Sequence, residues 1–126
     1  MIDREIGDRQ GEGNALGSLG LAYADLGETC RAIDFYEQAL TIAREIGDRR
    51  GEGYALWNSS PALDKLGDRA EAVARAEAAL QILEMIEDPN AAKVRIQLAG
   101  WKIGRRLTAA ARALLRWTVH GNRGRR

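Results

Sequence analysis

The sequence REIGDRQGEGNALGSLGLAYADLGETCRAIDFYEQALTIAREIGD (4–48) decides the fold, because it occurs twice. Residues 44–88 read REIGDRRGEGYALWNSSPALDKLGDRAEAVARAEAALQILEMIED, and 21 of the 45 positions match without a gap. The period is therefore 40 residues. A repeat of this length is one supersecondary unit that buries its apolar face only against its neighbours. Each period is predicted to hold two helices. Asp8 and Asp48 are expected as N-caps of the first, since a carboxylate accepts hydrogen bonds from the free amides of a first turn. Gly27 and Gly67 supply a tight turn. Asp68 and Glu71 have the spacing of a capping box for the second helix. That helix carries Ala32, Tyr36, Ala39, Leu40 and Ala43 in one copy and Ala72, Ala76, Ala79, Leu80 and Leu83 in the other. Steps of three and four place each set on one helical face.

These residues carry a resemblance. The stretch ALGSLGLAYADLGETCRAIDFYEQAL (15–40) resembles the tetratricopeptide repeat, with Leu16, Leu19, Gly20, Tyr23, Leu26, Gly27, Ala32, Tyr36 and Ala39 at signature positions. The usual repeat has 34 residues. Here the second helix runs on through TIAREIGD (41–48). That extension resembles the subclass in kinesin light chains and in polarity adaptors that bind extended peptides, and the arrays that follow the ATPase domain in many bacterial signalling proteins. The resemblance implies an all-α, right-handed α-solenoid of antiparallel helix pairs that binds protein. It implies that Gly20, Ala32 and Ala39 let helices approach while Tyr23 and Tyr36 fill the space between them.

The expected organisation is the end of a preceding second helix (1–8), repeat 1 (9–48), repeat 2 (49–88), a C-terminal capping helix (89–118) and a basic disordered tail (119–126). The start at MIDREIG, matching the end of a second helix, reads as a chain that begins just after a missing repeat. Its open first helix then needs a cover, and self-association is one expectation. In the second copy Ser59, Ser60 and Pro61 replace Leu19, Gly20 and Leu21. A proline inside a helix removes a hydrogen bond and clashes with the preceding turn. A kink or a short break near Ser59 is therefore expected, through degeneration or as a bend shaped for a ligand. Asp88-Pro89 has the form of a helix start. The stripe Ile96, Ala99, Ile103, Leu107, Ala110, Leu114 and Trp117 predicts one long helix from about Asn90 to Thr118.

Composition bounds the function. Charged residues make up 29% and apolar residues 45%, as in ordinary soluble domains. No run approaches the roughly 20 apolar residues of a membrane span. The charged N-terminus is not a secretory signal. The one cysteine, Cys30, excludes an intrachain disulfide and suits a reducing, cytoplasmic setting. His120 has no catalytic partner. No metal-ligand spacing occurs, and the two GEG triplets lack the Gly-Lys-Ser/Thr of a phosphate loop. No enzyme activity, cofactor, metal or small-molecule substrate is expected.

Binding to a protein or peptide remains. By the resemblance, first helices line a concave groove, which assigns to it Asn14, Gly17, Ser18, Leu21 and Asp25 in one copy. The second copy contributes Tyr54, Trp57, Asn58, Pro61 and Lys65. Asn58 matches an asparagine that bonds the ligand backbone in the extended subclass; Ser18 departs from it. Tyr54 and Trp57 offer stiff apolar area, although Trp57 equally suits packing between repeats. A second use concerns the basic end. Residues 101–126 contain eight Lys/Arg and no acid, whereas 1–100 contain 11 Lys/Arg and 18 Asp/Glu. Lys102, Arg105, Arg106, Arg112 and Arg116 could meet nucleic acid, an anionic membrane or the acidic body of a second copy.

Overall fold

The computed structural model describes the backbone of residues 2–106 and the side chains of residues 5–102. The expected helix segment 107–118 and the tail 119–126 lie outside the described residues. Among the described residues five helices follow in order: α1 (Ile2–Asp25), α2 (Thr29–Ile46), α3 (Arg49–Lys65), α4 (Arg69–Met85) and α5 (Ala91–Arg106). Each packs on the next in the chain, and α1 also meets α3 across α2. This is an all-α solenoid of antiparallel pairs.

The turns explain the stacking. Gly27, Gly47, Gly67 and Glu87 all have positive φ, at 79°, 70°, 88° and 56°. At each, the next residue's amide reaches back to a carbonyl five positions earlier: Glu28 to Tyr23, Asp48 to Ala43, Asp68 to Leu63 and Asp88 to Leu83. These bonds satisfy carbonyls that a helix end leaves free. The aspartates then start the next element. Asp48 Oδ1 accepts from the Gly51 amide at 2.9 Å and Asp68 Oδ1 from the Glu71 amide at 3.1 Å. Asp88 Oδ1 accepts from the Asn90 amide at 2.9 Å, and α5 begins one residue later.

Three expectations need correction. Asp8 caps nothing, because α1 continues through it from Ile2 to Asp25. The identical hexapeptide at 44–49 turns because α2 must fold back onto α3 there; no helix precedes α1 among the described residues, so continued helical hydrogen bonding wins locally. Second, α3 is unbroken through Pro61. Pro61 cannot donate to the Trp57 carbonyl, but the Ser60 hydroxyl donates to it at 2.6 Å. The neighbouring Ser59 hydroxyl donates to Leu56 O at 2.9 Å. Third, α5 does not bury the Ile96–Ala99 stripe. Its core face is Ala91, Val94 and Leu98, while Ile96 is 73% exposed. Packing against α4 selects the face, and α5 carries apolar residues on both.

The interior falls into two clusters. Ala39, Leu40, Ala55, Leu56, Ala79 and Ile82 join α2, α3 and α4. Val73, Ala76, Leu83, Ala91, Val94 and Leu98 join α4 to α5. Between α1 and α2 a large residue meets a gap: a Cβ on Gly20 would lie 2.5 Å from the Tyr36 ring. Ser60 and Ala76 stand at the aligned positions of the second copy, both buried, so the large and small partners are replaced by two small ones. Tyr23 stacks on Phe35 with ring centroids 5.2 Å apart, and Arg31 lies over the Tyr23 ring.

Candidate functional site: the concave groove

Residues on α1 and α3 face each other across the α2 surface and form a groove in two sections. The first is a cleft of about 440 Å3 whose lining includes Asn14, Gly17, Ser18, Leu21, Tyr54 and Asn58. The second, about 320 Å3, lies between the C-terminal halves of α1 and α3 and includes Leu21, Trp57, Asn58, Pro61 and Lys65. Leu21, Tyr36 and Asn58 line both. The structure thus brings together Asn14, Ser18, Leu21, Tyr54, Trp57, Asn58 and Lys65. Asp25 lines neither section; it is exposed at the end of α1, close enough for its carboxylate to act on Tyr36.

The groove residues differ in how free their polar groups are. The Tyr54 hydroxyl donates to Asp88 Oδ2 at 2.7 Å and accepts from Asn90 Nδ2 at 2.9 Å. Trp57 Nε1 donates to Gln97 Oε1 at 2.9 Å, and its ring packs against both core clusters. These two aromatics fasten α3 to the α4–α5 turn and to α5 as well as facing the groove. Asn58 is half-buried, and among the described residues its amide makes no hydrogen bond. An amide offers donors and an acceptor together.

Asp88 gathers a polar cluster beside the groove. It is 7% exposed and held by the Asn90 amide, the Tyr54 hydroxyl and Arg50 Nε at 3.3 Å. The Asn90 amide first, then the Tyr54 hydroxyl, keep its carboxyl below the ordinary carboxylate range. Burial raises the Tyr54 hydroxyl above its ordinary value. Arg75 braces the opposite side, with Nη1 3.1 Å from Ser59 Oγ and ion pairs to Glu37 and Glu71.

The tetratricopeptide repeat family model matches residues 12–85, more than half of the chain, from within α1 to the end of α4. The chain is a tetratricopeptide repeat protein. Repeats of this family are protein-interaction modules, so the groove has the place expected of a partner-binding face. No curated protein matches the chain. The family assignment leaves the basic end apart. Lys102 pairs with Glu77 at 3.3 Å, and the Arg105, Arg106, Arg112 and Arg116 side chains lie outside the described residues. No described helix is long and apolar enough to cross a membrane.

The sequence did not point to Tyr36 as a groove residue. Its stripe position marks it as core, and its ring is core. The Tyr54–Asp88–Asn90 cluster was equally hidden, because its members are 34 and 36 positions apart.

Proposed function

We propose that this repeat protein is a non-catalytic scaffold or adaptor that receives an extended peptide or helix of a protein partner in the α1–α3 groove. The continuity of the two cleft sections through Leu21, Tyr36 and Asn58 carries this reading. The unpartnered Asn58 amide supports a contact to a peptide backbone, as the extended-repeat subclass resembling kinesin light chains would use it. The walls, Leu21, Trp57 and Pro61, provide apolar area. The test is selection from a displayed library of random peptides, followed by titration of the best binder. Asn58→Ala should weaken binding roughly 5- to 100-fold, the range for losing a buried hydrogen bond to a ligand. Binding that survives Asn58→Ala and Leu21→Glu unchanged would refute the groove.

A second reading concerns the outer face of α1. Ala15, Leu19 and Ala22 are exposed, whereas Ala55, Ser59 and Ala62 at the aligned positions of α3 are buried inside the stack. The repeat therefore has a face on α1 that another repeat or a second copy would cover. Light scattering across the micromolar range tests it: association that Leu19→Lys abolishes supports the reading, and a monomer at every concentration rejects it.

A further inference from the structure

The outer face of α1 is divided along its length. Glu5, Asp8, Glu12, Ala15, Leu19 and Ala22 follow at steps of three and four, so they form one stripe. All six are exposed. The stripe is acidic over the N-terminal half of the helix and apolar over the C-terminal half, where Leu26, 72% exposed, extends it. On α3, Ala55 and Ala62 at the aligned positions are buried, and Ala55 shares a core cluster with Ala39 and Leu40 of the antiparallel α2. The last turn of α2 there meets the first turn of α3, and Arg44 Nε pairs with Glu52 Oε2 at 3.2 Å. Glu12 stands at the position aligned with Glu52 and pairs within its own helix, with Arg9 at 2.8 Å. A helix that covers α1 in the same way runs antiparallel to it, apolar at its start and basic at its end.

The sequence at 107–126 has that order. Leu107, Ala110, Leu114 and Trp117 follow at helical steps, Arg123, Arg125 and Arg126 come after them, and the segment contains no acid. As helix, Leu107 to Trp117 spans about 15 Å and Ala15 to Leu26 about 16 Å. Antiparallel docking sets the two apolar halves together and the arginines beside Glu5, Asp8 and Glu12. Parallel docking would set the arginines beside Leu26 and the carboxylates against Leu107 and Ala110. The segment follows α5, and α1 and α5 stand at opposite ends of the stack with α2, α3 and α4 between them. Because α5 runs to Arg106, no linker remains to carry Leu107 back across the stack. The segment that covers α1 therefore belongs to a neighbouring molecule.

We propose that the outer face of α1 receives residues 107–126 of a second copy, so that copies join head to tail. This assignment rests on the reading above that the α1 face is covered, and the two fail differently. A contact between two different surfaces leaves one of each free at the ends of an assembly, and that asymmetry is the test. Full-length wild type, Leu19→Lys and Leu114→Glu are compared by light scattering against concentration, with circular dichroism confirming equal helical content. Wild-type mass should rise with concentration. Leu19→Lys sets a charge in the apolar half of α1, and Leu114→Glu sets one in the apolar half of the segment. Each should weaken self-association roughly 10- to 100-fold. An equimolar mixture of the two variants should form a dimer of one chain of each, because the intact segment of the Leu19→Lys chain meets the intact face of the Leu114→Glu chain. A mixture that stays monomeric, or Leu114→Glu that associates as wild type does while Leu19→Lys does not, overturns the assignment of the segment; the α1 face survives both results. A monomeric wild type, or association indifferent to Leu19→Lys, overturns the face and the assignment together.

Discussion

Replacing Ser60 by alanine tests how α3 passes through Pro61. In an unbroken helix the Trp57 carbonyl accepts from the amide four residues on, which here is the proline nitrogen. The Ser60 hydroxyl takes over that role at 2.6 Å, and Ser60 is fully buried. Without the hydroxyl, water does not reach that position to replace it. A buried acceptor left without a donor costs about 1–3 kcal/mol, so Ser60→Ala should destabilise by about 1–2 kcal/mol. Unfolding entropy of roughly 2 cal/mol/K per residue converts this to a drop of roughly 4–8 °C in Tm. The decisive measurement is a cycle with Pro61→Ala, followed by thermal and urea unfolding with far-UV circular dichroism. In Pro61→Ala the new alanine supplies its own amide to the Trp57 carbonyl, so Ser60→Ala in that background should cost under about 0.5 kcal/mol. Pro61→Ala alone should raise stability, because the restored bond and relieved ring clash outweigh the roughly 0.4–1 kcal/mol of unfolded-state entropy lost. If Ser60→Ala costs the same in the Pro61→Ala background as in wild type, the hydroxyl is not what closes the gap.

Three further outcomes are expected. Glu87→Gly should stabilise by about 0.5–1 kcal/mol in chemical denaturation, since Glu87 holds φ at 56° where the three other turns use glycine; a neutral or destabilising result contradicts the strain. Gly20→Ala should cost roughly 1–3 kcal/mol from the 2.5 Å approach to the Tyr36 ring, and the loss should shrink on combination with Tyr36→Ala. Asp88 has a depressed folded-state pKa, so its contribution is complete above the ordinary carboxylate range and is lost as pH falls through the folded value. An unfolding-midpoint series through the acid range should therefore decline less steeply in Asp88→Asn than in wild type, and parallel curves would show that Asp88 is not the titrating group.

Much of the site was legible because it repeats. Asn58 and Leu21 come from the family resemblance, which assigns first-helix positions to a groove, carried onto both copies by their alignment. Trp57 was legible as a choice between groove and packing, and the structure gives it both surroundings through Gln97 and the two core clusters. The Tyr36 hydroxyl was not legible. A stripe identifies the residue that packs, and says nothing about where the far end of a long side chain emerges. The face of α5 was misread for a related reason. Its apolar residues occupy two stripes, and periodicity cannot rank them when only one has a partner.

The clearest division between sequence and structure lies in REIGDR, which occurs at 4–9 and 44–49. By itself the sequence determined the repeat, the helix pairs and the glycine turns at 27 and 67, because spacing and turn chemistry are local and occur twice. It could not determine what the hexapeptide does. At 44–49 the glycine takes a left-handed φ and the aspartate caps α3, because α2 and α3 gain a shared core by turning back on each other. At 4–9 there is no such core to gain among the described residues, and the same six residues remain one uninterrupted turn-and-a-half of α1. Only tertiary packing decides between two conformations that the local sequence permits equally.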